Sequence, residues 1–320
     1  MQRRNILGAG LAAGVARGAS AQAWPARPVR LIVPYPPGGG TDTLTRPFSE
    51  RVRTRLGQPM VVENRGGAAT NIGMEAASRA AADGYTVIVN ADNVAYFEFL
   101  YARRGYDLFR DFAPVSYMAV TPMVLAVHPG VPARDLGEFV ALVRGSPDRL
   151  AFANPSVGSP HHLAYELLAR EAGLRMLQAE YRGGGPATND VIAGHVQLGV
   201  FSLGSVSQHF AAGTLRPLAL LSERRSPSSP DIPTVAEAGF PAAVTALRFF
   251  MLAPAGTPAE IVRALHAATV DTMADPGLRD ILTRAGFEIM TTTPEETGAL
   301  LRAERDRWAP ILPSLNLRLE

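Results

Sequence analysis

Short apolar runs alternate along the chain with longer stretches in which apolar residues recur every three or four positions. Arg30-Leu31-Ile32-Val33 reads as a buried strand. Leu44, Phe48, Val52 and Leu56 then fall at i, i+4, i+8 and i+12, one face of a helix that Gly57 stops. Met60-Val61-Val62 is the next strand, residues 71–81 a helix, Asp83-Gly84 a turn, and Tyr85 to Val89 a third strand. This β-α-β-α-β order predicts a parallel sheet with helices on its faces. Ala113 to Val127 is a long β-rich stretch broken at Thr121-Pro122. The rhythm then restarts. Leu136, Phe139, Val140 and Val143 mark a helix face, Leu150 to Ala153 a strand, 160–172 a helix, and Leu177 to Tyr181 a strand. Residues 186–193 read as a helix, Val196 to Phe201 as a strand, 205–212 as a helix, and Leu215 to Leu221 as a strand. Residues 223–234 are polar and proline-rich, hence loop. Phe249 to Ala253 is apolar again. From Pro258 on the pattern is mostly helical, with Phe287 to Met290 a strand. The expected fold is α/β with two similar lobes and a cleft between them. Open α/β sheets bind ligands beyond the carboxyl ends of their strands, and two facing lobes present two such edges.

A length of 320 residues suggests two domains at ~150 residues each. Apolar residues at 47% suffice for a core, and charged residues at 19% are too few for a disordered chain. The absence of cysteine excludes disulfides, thiolate zinc sites, iron–sulfur clusters and cysteine nucleophiles. The first residues carry a different signal. Gln2-Arg3-Arg4 is basic, Ile6 to Ala16 is apolar, and Ala19-Ser20-Ala21 and Ala21-Gln22-Ala23 are small-x-small cleavage sequences. This is the layout of a secretory signal spanning 1–23, cut after Ala21 or Ala23. Its apolar run is well short of the ~20 residues that span a bilayer. Arg3-Arg4-Asn5-Ile6-Leu7 fits the twin-arginine route, with the general export route as the alternative. Cleavage removes Arg3, Arg4 and Arg17 and no acid, so the net charge turns from +2 to −1. A near-neutral mature chain without a basic run is a poor match for nucleic acid. No second apolar stretch is long enough to span a membrane, so a mature protein without spans is expected.

Pro36-Pro37-Gly38-Gly39-Gly40-Thr41-Asp42 lies between the first strand and the first helix. Three glycines allow a sharp turn and close approach of a ligand. Thr41 or Asp42 is placed to cap the helix, whose N-terminal amides suit an anion. The alternative is tight-turn geometry without a ligand, since the spacing is neither G-x-G-x-x-G nor a P-loop. Asn154-Pro155-Ser156-Val157-Gly158-Ser159 and Tyr181-Arg182-Gly183-Gly184-Gly185-Pro186 repeat the strand–turn–helix arrangement in the second lobe. His161 and His162 open the helix after Ser159, and His162 shares a face with Glu166; packing beside the turn accounts for His162. No histidine or carboxylate cluster has zinc spacing, and no G-x-S-x-G marks a serine hydrolase. Asp42 and Asp92 near strand ends are the one candidate carboxylate pair, with helix capping as the alternative for Asp42.

Taken together, the motifs are more specific than any one alone. Residues 27–42 resemble the opening of the Bug-type receptors, the extracytoplasmic solute-binding proteins of tripartite tricarboxylate transporters. The similarity continues through residues 56–65, Asn71-Ile72-Gly73, Asp83-Gly84-Tyr85-Thr86 and Asp111-Phe112-Ala113-Pro114-Val115. It extends through Gly158-Ser159 with His162-Leu163-Ala164, and through residues 181–187, 231–239 and 253–258. The resemblance implies a type II periplasmic-binding-protein fold, each lobe a mostly parallel sheet flanked by helices. Lobe one would comprise 24–124 plus 245–320, and lobe two 125–244. It implies a periplasmic, non-enzymatic monomer without cofactor, which binds a di- or tricarboxylate, an acidic amino acid or an aromatic acid and delivers it to membrane permease subunits. The alternatives are an exported sensor that presents its ligand to a signalling partner, and an α/β enzyme.

Carried onto this chain, the resemblance points to Tyr35, Gly39, Gly40, Thr41, Asp42 and Asn90 in lobe one. In lobe two it points to Ser156, Gly158, Ser159, Tyr181, Arg182 and Gly184. Backbone amides at Gly39–Asp42 and Ser156–Ser159 are expected to hold the carboxylate, with Arg182 secondary. Three departures stand out. Pro47 predicts a helix that starts or kinks there, because an interior proline costs ~3 kcal/mol. Ser156 adds a hydroxyl where glycine is more usual. Asp92, in Asn90-Ala91-Asp92-Asn93-Val94, disfavours an anion unless it points away.

Overall fold

The computed structural model describes residues 24–101 and 103–315, so the expected signal at 1–23 lies outside the described residues. The first sheet has six strands: β1 (Val29–Val33), β2 (Met60–Asn64), β3 (Thr86–Ala91), β4 (Phe112–Thr121), β10 (Leu247–Pro254) and β11 (Glu288–Ile289). Their order is β11-β4-β10-β3-β1-β2. The second sheet has five: β5 (Met123–Val127), β6 (Ala151–Asn154), β7 (Leu177–Glu180), β8 (Leu198–Ser202) and β9 (Arg216–Leu220), in the order β7-β6-β8-β5-β9. In the first sheet β10 and β11 run against the other four strands, and in the second β5 runs against the other four.

The chain passes from one sheet to the other at Pro122, between β4 and β5, and returns between Leu221 and Leu247. The two passages are tied together, because Leu221 N donates to Met123 O (2.8 Å) and Thr245 N to Leu221 O (2.9 Å). Beside them, Gly204 begins a helix of the second lobe, α8 (Leu203–Ala211), hard against the first lobe. A Cβ on Gly204 would lie 1.7 Å from the Ala285 carbonyl oxygen. Alternation along β5 shows how a strand buried on both faces serves two cores. Met123, Leu125 and Val127 join the main cluster, while Val124 and Ala126 join a second one with Val191 and Val206.

The first helix, α1, spans Gly40–Leu56 without starting at Pro47. Proline there leaves the Thr43 carbonyl without its i+4 donor, at ~3 kcal/mol. Leu44, Phe48, Val52 and Leu56 are all buried along one stripe. Burial is worth about 1.5–3 kcal/mol for each such side chain, so the stripe outweighs the proline. The other helices are α2 (Asn71–Ser78), α3 (Phe97–Leu100), α4 (Leu108–Asp111), α5 (Leu136–Gly145), α6 (Pro160–Ala172), α7 (Gly184–Ile192), α9 (Ala259–Met273), α10 (Pro276–Arg284) and α11 (Pro294–Trp308).

Candidate functional site

The turn between β1 and α1 lies at the carboxyl edge of the first sheet. Gly38 takes φ 87°, a left-handed conformation that favours glycine. Gly39 is the N-cap at φ −80°, ψ 173°, angles open to any residue, and no side chain caps the helix. Neither Thr41 nor Asp42 is therefore the cap. Asp42, in the first turn, folds back instead. Its carboxylate accepts from the Gly38 amide (3.0 Å), Arg46 Nε (2.7 Å) and Asn64 Nδ2 (3.0 Å). Burial opposes its ionisation, but these three bonds outweigh burial and hold the carboxyl below its usual range. Among the described residues, no protein acceptor meets the amides of Gly39, Gly40, Thr41 and Asp42; Thr43 is the first to find one, on Gly39 O. Four amides stand at the positive end of a 17-residue helix, an arrangement that favours negative charge.

The facing turn of lobe two differs. Ser156 N donates to Asn154 Oδ1 (3.1 Å), Gly158 N to His162 Nδ1 (3.0 Å) and Ser159 N to Ser156 O (3.1 Å). The expectation that the Ser156–Ser159 amides hold the ligand is thus corrected for these three, which are consumed in shaping the turn. Ser159 caps α6 through His162 N (3.2 Å). Because His162 Nδ1 accepts, the proton of the neutral ring sits on Nε2, 3.3 Å from Glu166 Oε1. His162 is fully built into the turn, as its packing role requires.

Two contacts close the cleft between the lobes. A Cβ on Gly183 would lie 3.8 Å from Pro36 Cγ, and one on Gly40 would lie 3.2 Å from Ser202 Oγ and 3.3 Å from Phe249 Cζ. Tyr35 adjoins Pro36, and His161 lies against Ser202, beside these contacts. Each is crowded by protein, which pushes the Tyr35 phenol up and the His161 imidazole down to about 4, yet each keeps some solvent contact. The Tyr35 hydroxyl donates to Asn93 Oδ1 (3.2 Å), and His161 Nε2 lies 3.3 Å from Ser202 Oγ.

Residues 44–317 match the family model described as the tripartite tricarboxylate transporter family receptor. The chain belongs to this receptor family. It is 34% identical to protein BugT of Bordetella pertussis over 310 residues, 96% of this chain and 95% of that one. Among solved structures, Rpa4515 of R. palustris with adipate is 32% identical and superposes with a TM-score of 0.88 over 92% of this chain and 99% of that one. MatC from Rhodopseudomonas palustris with bound malate is 29% identical, with a TM-score of 0.85 over 90% of this chain and all of that one. The receptor's two-lobe α/β architecture is that of periplasmic binding proteins.

Several receptor residues expected at the ligand are engaged elsewhere. The Tyr181 hydroxyl donates to Asp190 Oδ2 (2.6 Å), and burial together with that carboxylate pushes its pKa up to about 12. Its ring packs on the lobe-two core. The Asn90 side chain is used within lobe one: Oδ1 accepts from Ala91 N (2.7 Å) and Nδ2 donates to Thr70 Oγ1 (3.4 Å). Arg182 and Gly184 are exposed at the rim. Asp92 is buried and engaged in an ion pair. Its Oδ2 and Glu304 Oε2 both lie 3.1 Å from Arg248 Nη1, and Trp308 Nε1 donates to Glu304 Oε1 (2.6 Å). Burial and the neighbouring Glu304 charge push the Asp92 carboxyl up. Asp42 and Asp92 therefore form no catalytic pair; each has its own structural partners.

The sequence gives no role to His161, Ser202 or the turn before α2. In that turn Ala68, Ala69 and Thr70 take φ of 45°, 48° and 86°. Three successive non-glycine residues in this region store strain, which surrounding structure must hold. Asn90 supplies one such tie through Thr70. No motif announces this conformation.

Proposed function

We propose that the receptor is exported to the periplasm, closes its two lobes on a small organic carboxylate, and passes it to the permease of a tripartite tricarboxylate transporter. The observation that carries this reading is the row of amides at Gly39–Asp42, without protein acceptors among the described residues and close to Ser202 of the other lobe. Adipate and malate in two similar receptors support the carboxylate class. The lobes are taken as 24–122 with 245–320, and 123–244; the expected boundary at 124/125 moves because β5 begins at Met123 in the second sheet. A carboxylate gains about 1.5–3 kcal/mol from each charge-assisted bond, so two or three bonds plus apolar contact suffice for the ~8 kcal/mol of micromolar binding.

Calorimetry of the mature protein against a panel of mono-, di- and tricarboxylates tests the ligand class; binding of none rejects it. Mass spectrometry of periplasmic protein tests export, with cleavage after Ala21 or Ala23 expected and a retained Met1 rejecting it. Deletion of neighbouring permease genes tests delivery, through loss of uptake of the acid that binds.

A further inference from the structure

Asp92, Arg248 and Glu304 come from three elements and meet beside the two passages that join the lobes. Asp92 opens a one-turn 3-10 helix (Asp92–Ala95) after β3, Arg248 lies near the start of β10, and Glu304 lies on α11. Arg248 pairs in register with Val120, close to the outward passage at Pro122. Shortly before Arg248, on the return passage, the Val244 carbonyl accepts from Arg307 Nη2 (2.8 Å), also of α11. One turn of α11 thus carries both a member of the cluster and a grip on the return passage.

Arg248 Nη1 donates to Asp92 Oδ2 and to Glu304 Oε2, each at 3.1 Å. A single nitrogen therefore serves two carboxylates. The Asp92 and Glu304 side chains are 3% and 10% exposed, and that of Arg248 is 28% exposed. The second cation, Arg307, stands 4.0 Å from Glu304 Oε1 at 37% exposure, so water screens it. Three phenols also face the cluster: Tyr96 after the 3-10 turn, Tyr117 from β4 and Tyr35 after β1. Burial pushes all three up, so they stay neutral across neutral pH. Glu288 of β11 acts in turn on Tyr117. No histidine is among these groups.

Burial and like charge both penalise a second ionisation here, and one proton relieves the imbalance. Burial and then the Glu304 charge push the Asp92 carboxyl up to about 7, against the pull of Arg248. Asp92 and Arg248 are held to one another, because β3 and β10 pair as far as Ala91 and Phe249. α11 is outside the sheet, so repulsion after the proton leaves acts on the seat of α11.

We propose that Asp92 and Glu304 share one proton, and that this proton locks α11 onto the return passage. On the reading that the lobes close, the hinge is then stiffer below neutral pH and looser above it.

Trp308 reports on the cluster directly, since its Nε1 donates to Glu304 Oε1 (2.6 Å) and the one other tryptophan is Trp24. In mature Trp24→Phe protein, Trp308 fluorescence should titrate with a midpoint near 7, and adding Asp92→Asn should abolish the transition. Hydrogen exchange then tests the lock, comparing native protein with Asp92→Asn at equal pH. At a pH about 1.5 above that midpoint, the amides of 244–247 should exchange roughly tenfold faster in the native protein; about one unit below it, the two should agree. Amides of β6 should match at both. Glu304→Gln should give the same exchange pattern as Asp92→Asn, and carries the comparison if that variant does not fold. Absence of a transition near neutral pH, or one that persists in Asp92→Asn, overturns the proposal. So does equal exchange at high pH, or an acceleration that β6 shares. Neither measurement uses a ligand, so these failures leave the carboxylate reading standing.

Discussion

Asp42 sits in the first turn of α1, where a bare carboxylate would repel the anion proposed to bind there. Arg46, Asn64 and the Gly38 amide neutralise it and use it to fasten the loop. A carboxyl whose folded pKa is depressed contributes stability that is present above its ordinary value near 3.8 and lost as pH falls through the lower folded value. Stability to urea should therefore decline as pH drops below about 4, and Asp42→Asn should flatten that decline. The neighbouring glycines separate two roles. Gly38 needs its left-handed conformation, so Gly38→Val should cost about 1–2 kcal/mol in unfolding experiments. Gly39 has ordinary angles and open space, with Pro36 O at 3.9 Å from a built Cβ. Gly39→Val should thus unfold like the native protein yet lose at least tenfold in carboxylate affinity, because the valine methyls screen the amides. Arg182→Ala, at an exposed rim position, should change affinity less than threefold. The run of three glycines was legible in the sequence, but which of them is strained was not, because that depends on where the helix takes its first turn.

Among the elements, α1 shows how periodicity can outweigh a local breaker. The stripe from Leu44 to Leu56 was readable and Pro47 was a false start, since propensity at one position is small beside four buried side chains. Strand and helix order along both lobes was equally legible, because each run has its own period. The Ser156–Ser159 turn was not. Its glycine and serines predict loop chemistry, but nothing local reveals that Asn154 and His162 claim the amides. His161 and Ser202, far apart in sequence, become neighbours only once α6 packs beside β8. The Asp92–Arg248–Glu304 cluster likewise joins the end of β3, β10 and α11. Arg248→Met would leave two buried carboxylates without their cation. Urea titration should register a loss of about 3 kcal/mol, the low end for a broken buried pair because Arg248 keeps some solvent contact.

At the scale of the whole molecule, the lobes meet through two chain passages and the close seat of Gly204 against Ala285. A methyl group at Gly204 cannot fit beside the Ala285 carbonyl, so Gly204→Ala should hold the lobes apart. Small-angle scattering should show the native protein compacting on binding an acid and the variant keeping a larger radius. The position of β10 has another consequence, for the order in which the molecule can be assembled. This strand lies between β4 and β3, yet it is made only after all of the second sheet. During synthesis, β3 and β4 wait with open edges until residues 247–254 arrive, while the five strands from Met123 to Leu220 already have one another. Lobe two can mature first, and lobe one carries the exposure to mispairing that unfilled edges bring. A fragment spanning 122–246 should melt cooperatively by circular dichroism, whereas one spanning 24–246 should aggregate through the gap that β10 fills.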